Sequence, residues 1–162
     1  EDIVALLPNL KRFALSLCRR PEVADDLVQI TAERAIRARH HFDPATRLEA
    51  WLFRILRNAW IDMLRRDATR GETVDIHDTP QADPVDSAAQ THDRLMLQSV
   101  RAAITTLPED QRAVLHLVFV EGLSYAETAQ TLGIPQGTVM SRLSRARRAL
   151  GDKLGIKGGV GR

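Results

Sequence analysis

The chain has 162 residues, 44% of them hydrophobic and only 4% aromatic, which is enough apolar material for a core but too few large rings for a typical β-sandwich. Its formal net charge is +2, from 23 Lys+Arg against 21 Asp+Glu, so any nucleic-acid surface must come from where the charges sit rather than from their sum. A single cysteine, Cys18, excludes an internal disulfide, and no run is long or apolar enough to span a membrane. No secretory leader opens the chain, and with one free thiol a reducing cytoplasm is the expected setting. The first residue is Glu1, so the natural N-terminus is expected upstream.

Apolar residues recur at helical spacing throughout and no alternating strand pattern stands out, which predicts an all-α protein. A first helix is expected from Ile3 to Leu17. Pro21 and Glu22 suit the first turn of a second, whose stripe is Val23, Leu27, Ile30 and the stem of Arg34, continuing toward Arg39. His40 to Arg47 reads as a loop around Asp43-Pro44. Thr46-Arg47-Leu48-Glu49 has the form of a capping box opening a third helix, with Leu52, Leu56, Ala59, Trp60 and Met63 inward and an end near Arg66.

Acidic residues then gather around Pro80 and Pro84 (Glu72, Asp75, Asp78, Asp83 and Asp86 among them), and residues 69–92 read as a flexible acidic linker between two small domains, 1–68 and 93–154. Helical spacing resumes at Leu95, Leu97, Val100, Ala103, Ile104 and Leu107. Thr106…Glu109 and Ser124…Glu127 are two further capping-box patterns, and Gly122 and Gly133 sit where helices should stop. The second half is therefore four helices, followed by a glycine-rich tail, 155–162, expected to be disordered.

Ser124 to Thr131, the tight turn at Leu132-Gly133-Ile134 and the helix opened by Pro135 have helix-turn-helix proportions. Val139, Leu143, Ala146 and Leu150 should face the core. The opposite face carries Gly137, Ser141, Ser144, Arg145 and Arg148, flanked by Thr138 and Arg142. Small residues let such a helix sit deep in the major groove while arginines reach guanine edges or phosphates, so this helix is expected to bind duplex DNA. A solvated basic face on a structural helix, or a membrane-surface helix, fits the small residues and the short turn less well.

On the third helix Arg54, Asn58, Asp62 and Arg65 form a polar line with Trp51 and Ile55 beside it. Arginines, an amide and a ring are the combination that holds unpaired strands, although composition by itself favours Trp51 as a core or interdomain residue. His40, His41, His77, His92 and His116 have no metal-ligand spacing, and no phosphate-binding glycine loop follows a strand, so no metal, cofactor or catalytic role is expected. Cys18 is expected in or near the core.

Taken together the two halves resemble the bacterial alternative sigma factors of the extracytoplasmic-function type. The matching residues are Asp25-Asp26-Leu27-Val28-Gln29, Ala50 to Asn58 and Ile61 to Arg66 in the first half. In the second they are Leu107 to Arg112, Glu121 to Tyr125 and Gly133 to Arg142, in the same order as in that family. The segment Leu6 to Phe13 is similar to general-stress members of alphaproteobacteria.

The resemblance implies that Asp25, Asp26 and Gln29 dock on the polymerase β′ clamp helices, and that the second domain meets the β flap. It implies −10 recognition by Trp51, Arg54, Asn58, Asp62 and Arg65, with Phe42, Asp43 and Thr46 in a loop that captures a flipped base. It also implies −35 recognition by Gln136, Gly137, Thr138, Ser141, Arg142, Ser144, Arg145 and Arg148, and control by an anti-sigma factor. Two rivals are an ordinary helix-turn-helix regulator, disfavoured by the Asp25-Asp26-Gln29 and Trp51–Arg66 segments, and a sigma-like decoy that titrates an anti-sigma factor without binding DNA. The arginines on both faces disfavour the decoy.

Overall fold

The computed structural model describes residues 2–71 and 91–156, and every regular element among them is helical. The expected linker lies mostly outside the described residues, as does most of the expected tail. Three helices form the first domain: α1 (Asp2–Cys18), α2 (Pro21–Arg37) and α3 (Leu48–Arg70), with a short 3-10 turn at Arg39–His41. The second domain holds α4 (Thr91–Thr105), α5 (Glu109–Leu115), α6 (Tyr125–Leu132) and α7 (Gln136–Lys153). A π-helical turn, His116–Val120, continues α5, and the Glu121 amide closes it by donating to the His116 carbonyl at 3.1 Å.

Leu10, Phe13, Ala14 and Leu17 of α1 pack on Leu27 of α2 and on Leu52, Phe53 and Leu56 of α3, with Phe13 and Phe53 edge to face at 5.2 Å. Full burial of one such ring contributes about 1.5–3 kcal/mol. On α2 the buried stripe is Ala24, Leu27, Thr31 and Ala35, one position on from the expected Val23 and Ile30, which are only half-buried. Small side chains let α2 approach its neighbours closely, and the buried Thr31 hydroxyl is satisfied by donating to the Leu27 carbonyl at 2.6 Å. The Arg34 side chain is partly buried, and its guanidinium pairs with Asp62 of α3 at 3.0 Å.

Of the three capping boxes, only Ser124…Glu127 forms. The Ser124 hydroxyl accepts from the Glu127 amide and the Glu127 carboxylate accepts from the Ser124 amide, both at 3.0 Å. At α3 the N-cap is Arg47, without a side-chain cap, and the helix runs past Arg66 to Gly71, whose left-handed φ of 72° ends it. At α5 the N-cap is Pro108; the Thr106 hydroxyl turns back to the Ala103 carbonyl instead. Leu95 and Leu97, expected inward, are exposed, while Ala103 and Leu107 are buried.

The two domains are packed against each other. Their buried residues form one continuous core, in which Val114, Leu117, Leu123 and Leu132 join the Phe13–Phe53 layer. α1 lies along α5 and its π-helical turn, and α3 lies along α6.

Candidate nucleic-acid interface

The capping box fixes where α6 begins, and Gly133 in the left-handed region (φ 64°) ends it, so the chain turns sharply into α7 at Pro135. Val139, Leu143 and Ala146 are buried, and their burial sets the rotation of α7 about its own axis. Gln136, Gly137, Ser141, Ser144, Arg145 and Arg148 consequently point to solvent, with Thr138 and Arg142 at the border. Met140 joins this face, 53% exposed. Arg142 is paired with Asp110 of α5 at 3.6 Å, an acid that the linear sequence places thirty-odd residues away and the fold brings to the edge of the basic face. Arg145 and Arg148 form no ion pair among the described residues, so their charge is available to an anion. Arg147 instead lies over the exposed Phe119 ring at 5.3 Å.

On α3 the core residues Leu52, Leu56 and Ala59 leave Arg54, Asn58 and Arg65 exposed, with Asp62 half-exposed and held by Arg34. Trp51 is half-buried and packs on Phe42 at 5.1 Å, which brings the 3-10 turn and the loop after it onto the start of α3. An Asx turn shapes that loop, with the Asp43 carboxylate accepting from the Ala45 amide at 2.9 Å. Trp51 stands where the two domains meet and borders a cavity of about 440 Å³ shared by the loop, α3 and α6. His41, Asp43, Thr46 and Arg54 line one side of it and Glu127, Gln130 and Thr131 the other. Asp25, Asp26 and Gln29 are exposed on α2; Asp25 pairs with Lys11 at 3.0 Å, while Asp26 and Gln29 border a groove against Met63 and Arg66 of α3.

Two exposed polar faces therefore occupy separate helices, and comparison with known proteins gives the chain a family. Residues 3–70 match sigma-70 region 2 and residues 97–150 match sigma-70 region 4. The chain is 39% identical over 158 residues to the ECF RNA polymerase sigma factor EcfG of Rhodopseudomonas palustris, covering 98% of this chain and 86% of that protein. It belongs to the extracytoplasmic-function sigma factors. The sigma factor is also 38% identical over 148 residues to SigM of Mycobacterium tuberculosis, covering 91% of this chain and 72% of that one. Among solved structures it is similar to the sigma factor RpoE in complex with the anti-sigma factor NepR from Bartonella quintana. The TM-score there is 0.78 at 32% identity, over 97% of this chain and 96% of that one. CnrH in complex with the cytosolic domain of CnrY is similar at a TM-score of 0.64 and 28% identity, covering 96% and 86% of the two chains.

Several residues that shape the sigma factor's surfaces had no signal in the local sequence. Arg57 stands between the predicted −10 residues yet faces the other domain, where its Nη1 would lie 3.5 Å from a Cβ on Gly133. Burial, and then the nearby charge of Arg142, lower its pKa. The Trp60 indole donates to Glu109 at 2.8 Å, and Arg47 reaches both the Gly122 carbonyl at 3.3 Å and Glu127 at 3.6 Å. The Glu127 carboxyl is held below the usual carboxylate range, first by the Ser124 amide and then by Arg47. No described helix is long and apolar enough to cross a membrane, and no cluster of metal-ligating side chains occurs among the described residues.

Proposed function

We propose that this sigma factor carries promoter specificity for core RNA polymerase, reading the −35 element with α7 and the −10 element with α3. The observation that carries the reading is the outward face of α7, where small residues alternate with Arg145 and Arg148, which form no ion pair among the described residues. At the −35 element Gln136, Gly137, Thr138, Ser141 and Ser144 meet the groove while Arg142, Arg145 and Arg148 reach bases or phosphates.

At the −10 element, Arg54 and Arg65 follow the phosphates of the unpaired strand, Asn58 and Asp62 meet base edges, and Trp51 offers a stacking surface. Phe42, Asp43 and Thr46 bound the pocket for an extruded base, which must replace the stacking and pairing that the base gives up. Asp25, Asp26 and Gln29 dock on the β′ clamp helices, and domain 93–154 docks on the β flap. The acidic segment 69–92 spans the distance between the two elements. Similarity to the NepR-bound and CnrY-bound relatives supports control by an anti-sigma factor, and the sigma factor works in the cytoplasm without catalysing a reaction of its own.

Run-off transcription with purified core polymerase, on promoters selected from a random library, tests the assignment. A defined transcript that depends on this chain is expected. A chain that binds an anti-sigma factor yet gives no transcript would be a decoy.

A further inference from the structure

The outward face of α7 is polar with a single exception. Met140 is 53% exposed, the one large apolar side chain that this helix leaves in solvent. Residues three and four positions away are surface neighbours on a helix, and here they are Gln136, Gly137, Leu143 and Ser144. Leu143 is turned into the core, and the other three are exposed and either polar or without a side chain. Met140 therefore belongs to no apolar patch on its own helix, and burial in the free chain does not account for it.

The residues beside it bear on what it can touch. Helical side chains lean toward the N-terminus, so Met140 reaches out over Gln136 and Gly137 in the opening turn of α7. Gly137 lies within the helix without a positive φ, and a Cβ added to it would meet nothing within 4 Å. Glycine at an exposed helical position is less stable than alanine, so neither backbone nor packing in the free chain calls for it. It leaves a recess beside the thioether, on the part of a recognition helix that meets base edges. The Ser141 hydroxyl, next along the chain, already donates to the Thr138 carbonyl at 3.1 Å.

The major groove offers few partners for such a side chain. A thioether has no N–H or O–H to give to purine N7 or O6, and no charge to set against a phosphate. Against cytosine it would cover the N4 amino group while offering only a weak sulfur acceptor. The apolar group that a base edge presents in this groove is the C5-methyl of thymine. Methionine is unbranched and flexible, and so adapts to the position of a small apolar group.

We propose that Met140 is a specificity-determining residue of the −35 site, reading a thymine by van der Waals contact with its C5-methyl group beside Gly137. The inference rests on the assignment of the α7 face to the −35 element. It adds a preference that the arginines do not supply, since guanidiniums select guanine edges or phosphates.

The test alters the DNA before the protein. Fluorescence anisotropy of reconstituted holoenzyme is measured on a selected promoter duplex in which each −35 thymine, on either strand, is replaced in turn by deoxyuridine. That replacement removes the methyl group and keeps the base pair. One such duplex should bind about fourfold more weakly, the worth of one buried methyl. Met140→Ala should weaken binding to the thymine duplex by at least as much and should no longer distinguish thymine from deoxyuridine at that position. Met140→Leu, which keeps the apolar bulk, should still distinguish them. Met140 is exposed and alanine is a good helix former, so the alanine variant should fold as the unaltered chain does.

If no deoxyuridine duplex binds more weakly, or if the selected element has no thymine on either strand, Met140 reads no methyl group. A loss that persists in Met140→Ala assigns the methyl to another residue and overturns the proposal. Arg145→Ala, measured alongside, separates the two levels. Weaker binding by that variant without any methyl effect removes the role of Met140 alone, whereas unchanged binding throughout removes the assignment of α7 to the −35 element as well.

Discussion

Arg145 and Arg142 sit three residues apart on α7, and their environments predict different energetic weights. Arg145 is exposed and forms no ion pair among the described residues, so binding DNA costs it no existing partner. Its replacement by alanine should weaken −35 binding by about 1–3 kcal/mol if the contact is bidentate to a base, or about 5- to 150-fold. Arg142 must first give up Asp110, 3.6 Å away, with the two side chains 25% and 48% exposed. A pair of that exposure is worth about 0–1 kcal/mol, so Arg142→Ala should cost less than Arg145→Ala by up to that amount. Asp110→Asn, which keeps an acceptor for the Gln111 amide at the start of α5, should tighten binding by up to about fivefold. The assay is fluorescence anisotropy of reconstituted holoenzyme on a selected promoter duplex, repeated at several salt concentrations. Loss of one phosphate contact lowers the salt slope by about 1, which separates phosphate contacts from base contacts. Unchanged affinity and slope in both arginine variants would refute the assignment of this face to DNA.

Asn58→Ala should leave −35 duplex binding intact and reduce strand opening, measured by permanganate reactivity of the −10 thymines; full opening would remove Asn58 from the −10 site. Asp26→Arg should abolish holoenzyme formation in a gel-filtration assay with core polymerase, because it reverses an exposed charge on the proposed docking surface. Burial lowers the pKa of His116, against the opposing pull of Glu121, so the unfolded chain takes up that proton first as pH falls. Its contribution to stability is therefore present above the ordinary value of 6.5 and lost as pH drops below it, a slope in thermal melts that His116→Gln should flatten. Ser124→Ala removes the one side-chain cap formed at α6 and should cost about 1 kcal/mol, or about 2–4 °C in Tm by calorimetry.

What could be read from the sequence was what short-range physics decides. The Ser124…Glu127 box closes over three residues, and the Gly133 turn and the outward arginines of α7 follow from a single helical period. Where a distant partner competes, the local pattern misleads. Glu109 has the spacing of a capping residue, but its carboxylate serves the Trp60 indole of the other domain, 49 positions away. The α2 stripe is displaced for a related reason: Ala24 and Ala35 have little intrinsic hydrophobicity, yet their size lets the helix settle between neighbours, leaving the bulkier Val23 and Ile30 half outside. Arg112 lay within a recognisable family segment, but the Ser16 carbonyl it binds is 96 positions away, beyond the reach of any local pattern.

The π-helical turn at His116–Val120 fits one residue more into the helix than α-geometry would. The wider turn absorbs that surplus residue, so the two halves of the segment keep nearly the phase of an uninterrupted helix. Shortening the turn by one residue would therefore restore ordinary winding and leave Glu121 near Asn9 and Arg12, with Val114 still in the core. The same deletion within α5 would rotate everything after it by about 100°. The seam between the domains thus tolerates a change of length at this turn and not a few residues earlier.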